Sequence, residues 1–210
     1  MARILITSGP TRQYLDPVRY LTNASSGRMG RALVSAALEL GHQVVVVSGP
    51  VEVDYPAEAE VVPVISTEEM LEVSRRLFVD CDGLIGAAAP CDYRPLAVEN
   101  QKIAKTGGPL VLQLVETPDV LATLGAEKKP HQWTVAFALE TEDQRFRALT
   151  KLEKKNCEMV VLNGPQAMNS LDNAVEVLVR GGELLEAIAG DKETVARGIL
   201  RLISQRLIRD

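Results

Sequence analysis

The residue types best suited to chemistry are concentrated in a polar loop, residues 8–27, that precedes a helical pattern. Guanidinium, amide and hydroxyl side chains occur in and just after this loop at Arg12, Arg19, Asn23, Ser25, Ser26 and Arg28. Gly27 and Gly30 would let a ligand approach the backbone closely. The dipole and free N–H groups of a helix N-terminus, together with a guanidinium, can hold a phosphate or carboxylate. The alternative is a serine-capped helix with its arginines in solvent.

One carboxylate and four lysines form a second set of candidates. Asp92 follows the sequence GAAAPC, so it lies at the mouth of a presumed central strand and could orient a base or a ribose. The alternative is an aspartate in a turn or helix cap. Lys102 and Lys105 belong to a polar loop, whereas Lys151 and Lys155 are four residues apart and share one face of a predicted helix. These ammonium groups could neutralise a triphosphate, and the alternative for each is simple solvation.

The elements that must position these residues begin with the apolar run Ile4–Thr7, which predicts a buried strand ending in a Ser-Gly-Pro turn. Apolar residues then recur at the helical period from Met29 to Leu40, and the glycine that follows predicts the helix end. Gln43–Ser48 is a β-branched run typical of a second strand. Together these segments predict a βαβ unit with parallel strands.

The alternation of strands and helices continues along the chain. Val61–Ile65 is a weaker strand pattern, and Pro63 within it favours the edge of a sheet. Ser66 and Glu69 have the spacing of a capping box, which predicts a helix through about Phe78.

Small residues mark the next strand. Gly83–Ala89 predicts a short central strand whose end a ligand or a packed helix can approach. Val111–Val115 predicts another strand, and Thr117 and Pro118 predict the cap and first turn of the following helix. The remaining predicted elements are a strand at 133–139, a helix at 143–156, a strand at 159–162, a hairpin of 174–179 and 183–188, and a helix at 192–208.

This pattern predicts an α/β fold: an open, mainly parallel, doubly wound (Rossmann-like) sheet with a C-terminal β-hairpin and helix. We expect residues 1–210 to form a single domain. Ligands of such sheets bind beyond the carboxyl ends of the strands. The segments in which we expect binding residues are therefore 8–27, 86–94, 116–121 and 137–141.

Composition and charge exclude several classes of protein. The chain has 210 residues, 46% of them hydrophobic, and its net charge of −5 comes from scattered residues, so it lacks the basic stripe of a nucleic-acid binder. Three cysteines without CxxC spacing and two histidines argue against a disulfide framework or a zinc site. No apolar segment approaches the length of a bilayer span, so we expect no membrane association and a cytoplasmic protein.

A dinucleotide-dependent enzyme is less favoured by the sequence. The motif G-x-G-x-x-G is missing after the first strand, and no acidic residue ends the second strand. An NAD(P)-dependent Rossmann-type reductase and a non-catalytic nucleotide-binding module nevertheless remain as alternatives.

Five sequence blocks occur in a fixed order: GPTRQYLDPVRYLTNASSGRMG, GAAAPCDYRP, QKIAK, TPDVL and FALETED. They resemble the synthetase half of bacterial phosphopantothenoylcysteine synthetase/decarboxylase, over essentially the whole chain. The resemblance implies ligation of (R)-4′-phosphopantothenate with L-cysteine in coenzyme A biosynthesis. CTP would activate the acid as an acyl-cytidylate with loss of pyrophosphate, and the cysteine amine would then displace CMP.

The resemblance also implies roles for particular residues. It implies contacts with the nucleotide for Gly86, Ala87, Ala88, Asp92, Lys102, Pro118, Asp119, Val120, Leu121, Phe137, Lys151 and Lys155. It implies contacts with the acyl group or phosphopantothenate for Asn23, Arg19 and Ala89, and catalytic roles for Asn23 and Lys102. The sequence departs from the family pattern at Pro90, Cys91 and Ala104, and we interpret Cys91 as a packing residue.

Cofactors and partners follow from the same resemblance. It implies Mg²⁺ bound with CTP, through ligands that the sequence does not identify, and a homodimer in which the loop carrying Lys102 closes over the site. The flavin-containing decarboxylase half is not part of the sequence, so we expect no flavin. A separate decarboxylase is a candidate partner.

Overall fold

The computed structural model describes residues 1–139, 142–163 and 172–208. Its helices are α1 (Arg28–Glu39), α2 (Thr67–Phe78), α3 (Val120–Glu127), α4 (Gln144–Lys154) and α5 (Lys192–Arg206). Its strands are β1 (Arg3–Ser8), β2 (Arg12–Asp16), β3 (Arg19–Thr22), β4 (Gln43–Ser48), β5 (Glu60–Pro63), β6 (Gly83–Gly86), β7 (Tyr93–Pro95), β8 (Leu114–Glu116), β9 (Trp133–Leu139), β10 (Met159–Asn163), β11 (Asp172–Val179) and β12 (Leu184–Asp191). Within these residues, no helix combines the length and apolar character needed to cross a membrane.

The main sheet confirms the predicted fold class. In the described residues it contains eight strands in the order β12-β11-β10-β9-β6-β1-β4-β5. Neighbours from β10 to β5 pair in parallel, and β11 pairs antiparallel with both β10 and β12. Numbered along the chain, the parallel strands lie in the order 3-2-1-4-5-6, which is the order of dinucleotide-binding sheets. The C-terminal hairpin and helix are present as β11, β12 and α5.

Both faces of the sheet are covered, which explains the continuous apolar runs of its central strands. Ile4 and Ile6 of β1 belong to the core cluster that contains the buried faces of α1 and α5. Leu5 lies between them in sequence and packs in the opposite cluster with α2 and α3. A third cluster joins α4 to β9, β10 and β11. The strand ends therefore lie between two helical layers.

Two strand predictions differ from the structure. The strand predicted at Gly83–Ala89 ends at Gly86, and beyond it Ala89 makes only an isolated bridge with Pro10, just past the end of β1. The strand predicted at Val111–Val115 is wrong: β8 begins at Leu114 and pairs with β7 outside the main sheet. Val111 is 83% exposed, so this apolar run does not supply the core.

Helix caps were predicted with mixed success. Ser66 caps α2 as predicted, since its side chain accepts a hydrogen bond from the N–H of Glu69. The cap predicted for α3 is wrong: Asp119 accepts from the N–H of Ala122, whereas the hydroxyl of Thr117 donates to the carbonyl of Cys91. Asp119 caps the helix because its carboxylate reaches a free N–H group of the first turn.

Candidate active site

A cleft of about 750 Å³ opens where the sheet reverses its winding. After β1 the chain crosses to β4 on one side, whereas β6 and β9 lie on the other side. Thr7 of β1 and Gly86 of β6 are register partners at the carboxyl ends of these strands, and both line the cleft. Ligands of open α/β sheets bind at such a switch point, so the fold alone marks this cleft as the candidate site.

The N-terminus of α1 forms one wall of the cleft. Gly27 is the N-cap residue, with a φ of 74°, and no side chain of the described residues caps the helix. The predicted alternative of a serine cap is therefore wrong, and Ser25 and Ser26 line the cleft instead. The N–H groups of the first turn remain available to an anion.

Glycine is required where α1 starts. A Cβ atom added at Gly30 would lie 1.9 Å from the Oγ of Ser8, at the end of β1. The hydroxyl of Ser8 in turn donates a 3.5 Å hydrogen bond to the carbonyl of Gly27. The helix therefore approaches the strand end so closely that its first turn faces the cleft.

The long loop before α1 contains a hairpin that the sequence analysis did not predict. Its strands β2 and β3 pair antiparallel with each other. Arg12 lies over the ring of Tyr20, 4.5 Å from its centroid, and Arg19 pairs with Asp16 at 3.1 Å. The hairpin thus keeps Arg12 and Arg19 out of the cleft lining, whereas Arg28 lines it.

Asn23 connects the two strand-end loops beside the cleft. Its Nδ2 atom donates to the carbonyl oxygen of Ala89 at 3.2 Å and to that of Pro90 at 2.9 Å. Cys91, the next residue, is buried and donates its N–H to the hydroxyl of Thr11 at 2.8 Å, and burial raises the pKa of its thiol. Cys91 therefore has the contacts of a packing residue, as interpreted from the sequence.

The cleft contains most of the residues for which the resemblance implies a ligand contact. Those in its lining are Asn23, Gly86, Ala87, Ala88, Ala89, Asp92, Pro118, Asp119, Val120, Leu121, Phe137, Lys151 and Lys155. They come from segments far apart in sequence, which the fold brings to one cleft. The last two residues of the predicted binding segment 137–141 lie outside the described residues.

Asp119 and Lys155 form an ion pair in the cleft wall. The ammonium of Lys155 lies 2.9 Å from Oδ2 of Asp119 and 3.0 Å from its Oδ1. Burial opposes ionisation of this carboxyl, but the N–H of Ala122 and the Lys155 ammonium outweigh it and lower the pKa of Asp119. The pair holds α3 against the end of α4, which supports the wall around Leu121.

Lys102 and Arg19 do not lie in this cleft. Lys102 lines a second hollow of about 560 Å³, together with exposed apolar residues of its own loop. The neighbouring Ile103 is fixed to the hairpin, because its N–H donates to Asp16 at 3.0 Å and its carbonyl accepts from Arg19 at 3.1 Å. The loop that carries Lys102 is thus hydrogen-bonded to the hairpin at Ile103.

Three polar residues from the C-terminal third of the chain also line the cleft and were missed in the sequence. Asn163 ends β10, Asn173 lies in β11, and Lys192 is the first residue of α5. Asn163 could have been found, because it ends a parallel strand as the other binding segments do. Asn173 and Lys192 carry no such signal, since their position depends on how the C-terminal hairpin folds back.

The chemistry of the lining suits an anion better than a bare metal ion. The carboxylates that line the cleft in the described part of the chain are Asp92 and Asp119. No group of three or more His, Cys, Asp or Glu residues with metal-binding geometry occurs among the described residues. A divalent cation would therefore need ligands from a bound molecule as well.

Comparison with known proteins gives the family. The family model described as the DNA/pantothenate metabolism flavoprotein C-terminal domain matches residues 1–207. The chain belongs to this family. The resemblance drawn from the five sequence blocks is therefore confirmed at the level of the family.

Curated relatives of the chain align with it over most of its length. The coenzyme A biosynthesis bifunctional protein CoaBC of Vibrio parahaemolyticus is 42% identical over 203 residues, which are 94% of this chain and 51% of that protein. Its counterpart in Bacillus subtilis is 39% identical over 206 residues, or 96% of this chain and 50% of that one. The chain thus spans about half the length of these curated relatives.

A solved structure supports the same relationship. The crystal structure of the C-terminal domain of a coenzyme A biosynthesis bifunctional protein CoaBC matches with a TM-score of 0.83 and 39% identity. The match covers 98% of this chain and 95% of that one. The two domains therefore share the same overall fold.

Proposed function

We propose that this chain, as one ligase domain over residues 1–210, joins (R)-4′-phosphopantothenate to L-cysteine in coenzyme A biosynthesis, using CTP. The observation that carries the proposal is the cleft at the switch point, where an uncapped helix N-terminus, Arg28 and lysines face one cavity. The curated relatives support it, since their names assign them to coenzyme A biosynthesis. Those proteins are bifunctional by name, so this chain would carry one of their activities.

The proposed reaction has two steps. A carboxylate oxygen of phosphopantothenate bonds to the α-phosphorus of CTP, and the bond from that phosphorus to the bridging oxygen breaks, so that pyrophosphate leaves. The cysteine nitrogen then bonds to the acyl carbon, the bond from this carbon to the CMP oxygen breaks, and the amine loses a proton. A carboxylate is a poor electrophile until it carries such a leaving group, and fixed cations and N–H groups must meet the developing charge.

Each part of the cleft has a role in this proposal. The close approach allowed at Gly86, with Ala87 and Ala88 beyond it, would accommodate cytidine against Leu121 and Phe137. The first turn of α1 and the lysines of α4 would hold phosphates. Asn23, with a side-chain amide at the lip of the cleft, would orient the acyl group.

We propose that the reaction uses magnesium but no flavin. We propose that Mg²⁺ binds chiefly to the phosphates of CTP, with Asp92 as the cleft carboxylate that makes no ion pair with a described residue. Bound Mg²⁺ would offset phosphate charge. We also propose that the chain needs no flavin, although the family name contains that word. An absorption spectrum of the purified protein without a flavin band would agree with this.

A homodimer is proposed as the working form. The support is an exposed apolar surface around the second hollow, which few monomers would leave in water. Its exposed large members are Leu96, Leu110, Val111 and Leu112. A separate decarboxylase is a further proposed partner, whereas nucleic acid and membrane are not, and we propose a cytoplasmic location.

A nucleotide panel tests the proposal most directly. Purified protein is incubated with phosphopantothenate, cysteine, Mg²⁺ and one of CTP, ATP, GTP or UTP, and pyrophosphate, nucleoside monophosphate and amide are measured. We expect CMP and pyrophosphate only when CTP and phosphopantothenate are both present. Binding of CTP without CMP under any combination would favour the non-catalytic module. A fluorescence change with NADPH and no ligation would favour the reductase.

A further inference from the structure

Lys192 extends the cleft toward a second helix N-terminus. It is the first residue of α5, its side chain is half-buried, and it lines the same cleft as the N-terminus of α1. Helices α1 and α5 pack on the same face of the sheet, in one core cluster. Neither the sequence blocks nor the predicted site includes Lys192, so its position is a finding of the structure.

The charge of Lys192 has no carboxylate partner among the described residues. The two acids beside it are engaged elsewhere: Asp191 accepts a 2.7 Å hydrogen bond from the N–H of Thr194, and Glu193 pairs with Arg31 at 3.5 Å. Burial and the nearby guanidinium of Arg28 lower the pKa of Lys192. Two neighbouring cations repel each other, and together they attract an anion.

Two asparagines complete the polar surroundings. Asn173 is 6% exposed, and its Oδ1 lies 3.4 Å from Nζ of Lys192, so it orients the ammonium group. Asn163 lines the same cleft, and its Oδ1 atom is buried and has no hydrogen-bond partner among the described residues. A buried oxygen of this kind is costly unless a ligand, a water molecule or a bound cation satisfies it.

The direction of the cleft indicates which part of a ligand reaches Lys192. Leu121 and the rest of α3, which form the proposed wall for cytidine, pack on the face of the sheet shared with α2. Val195 and Ala196 of α5 pack on the opposite face with α1. A nucleotide whose base lies on the first face would extend its phosphates across the strand ends toward the second.

We propose that Lys192, oriented by Asn173 and assisted by Arg28, binds the terminal phosphates of the nucleoside triphosphate and holds pyrophosphate after it forms. This inference rests on the proposed function for the identity of the nucleotide. It adds a residue from α5 to the phosphate site, and it gives the C-terminal helix a part in substrate binding.

The test compares Lys192→Gln with Lys154→Gln by titration calorimetry, using CTP, CMP, pyrophosphate and phosphopantothenate as separate ligands. Lys154 is the matched control, because it is an exposed lysine of α4 that does not line the cleft. We expect Lys192→Gln to reduce the affinity for CTP and for pyrophosphate about tenfold, the usual scale of one charge-assisted contact. Its affinity for CMP should not change. Lys192→Arg should restore most of the affinity, and Lys154→Gln should change none.

Two outcomes would overturn the inference. One is that Lys192→Gln binds CTP and CMP with equally reduced affinity, or with unchanged affinity for both. The other is that it loses affinity for phosphopantothenate alone, which would assign Lys192 to the acid substrate. Failure of the proposed function is a separate result. A wild-type protein that binds pyrophosphate through Lys192 but never forms CMP would refute the ligase while leaving the anion subsite intact.

Discussion

The side-chain amide of Asn23 donates a hydrogen bond to the carbonyl oxygen of Pro90, 2.9 Å away and 67 residues later in the chain. Asn23 belongs to the loop that follows β1, and Pro90 to the loop that follows β6. These two strands flank the switch point of the sheet. The amide group of Asn23 is therefore one of the contacts that join the two strand-end loops beside the cleft.

Asn23→Asp should impair ligation far more than it impairs CTP binding. A carboxylate has no N–H to donate, and it would repel both the two carbonyl oxygens and the charge that develops on the acyl group. We expect the rate of amide formation to fall about 10²-fold, the scale of one lost oxyanion donor. The measurement is a ligation assay beside calorimetry with CTP.

Asn23→Ala serves as its control, because it removes the donor without adding charge. It should lose less activity than Asn23→Asp. If either variant lost CTP affinity and ligation to the same extent, the role of Asn23 in the acyl-transfer step would be refuted.

Gly30→Ala should destabilise the fold and the phosphate-binding turn together. The added methyl group would lie 1.9 Å from Oγ of Ser8 and 2.6 Å from its Cβ, so the helix must move away from β1. Overpacking of this kind costs about 1–3 kcal/mol in the free energy of unfolding. Denaturant unfolding provides the measurement.

Gly108→Ala is the matched control for that substitution. A Cβ atom there meets no atom within 4 Å, and the residue has no positive φ. Its stability should stay within about 0.5 kcal/mol of the wild type. Equal stability of both variants would show that the contact between α1 and β1 is not tight.

The ion pair of Asp119 and Lys155 should make stability depend on pH. The folded-state pKa of Asp119 is lowered, so its stabilising contribution is present above the unfolded pKa, near 3.9. The contribution is lost as pH falls through the folded pKa. Asp119→Asn keeps a good N-cap and removes the charge, so at pH 7 it should cost less than about 1 kcal/mol, as a half-exposed pair allows.

Urea unfolding of wild type and Asp119→Asn at several pH values checks this. Other carboxyls titrate in both proteins, so the difference between the two curves isolates Asp119. We expect that difference to shrink below about pH 4. A difference that stayed constant down to pH 2.5 would mean that the charge of Asp119 stabilises nothing.

The central part of the fold could be predicted because its strands and helices contain many apolar residues at regular spacing. The segments around Leu5, Leu33 and Val45 are apolar at strand or helix spacing and are fully or almost fully buried. The hairpin of β2 and β3 could not be predicted, because its residues are largely polar and its strands pair only with each other. The run near Val111 was misassigned because an apolar sequence alone does not distinguish a core strand from an exposed surface.

Site residues next to the ends of predicted strands could be predicted from the sequence. Residues that reach the cleft only through the packing of distant elements could not. Gly86 ends the parallel strand β6, Asp92 lies in the segment after it, and the structure brings both to the cleft. Arg19 does not line the cleft, because the hairpin turns it onto Asp16, and its contact with phosphopantothenate stays a prediction. Lys192 was missed because only the packing of α5 beside α1 brings it to the site.

The position of Lys102 leads to the last prediction. Within one chain it lines the second hollow, and Ile103 beside it is fastened by Asp16 and Arg19. If Lys102 contributes to catalysis, either its loop swings into its own cleft or the loop of a second copy reaches across. The exposed apolar residues around Val111 favour the second arrangement, in which Lys102→Gln should lower kcat/KM for CTP about tenfold.

Mixing two impaired variants distinguishes the arrangements. Equal amounts of Lys102→Gln and Asn23→Asp protein are unfolded, mixed and refolded, so that half of the dimers contain one of each. If Lys102 acts in the partner's cleft, each mixed dimer has one site with both native residues, and about one quarter of wild-type activity returns. The control mixes Lys102→Gln with the double variant, which leaves no complete site. If the first mixture stays as inactive as this control, Lys102 does not act across a dimer. Unchanged kinetics of the single variant Lys102→Gln would show that the residue takes no part in the site.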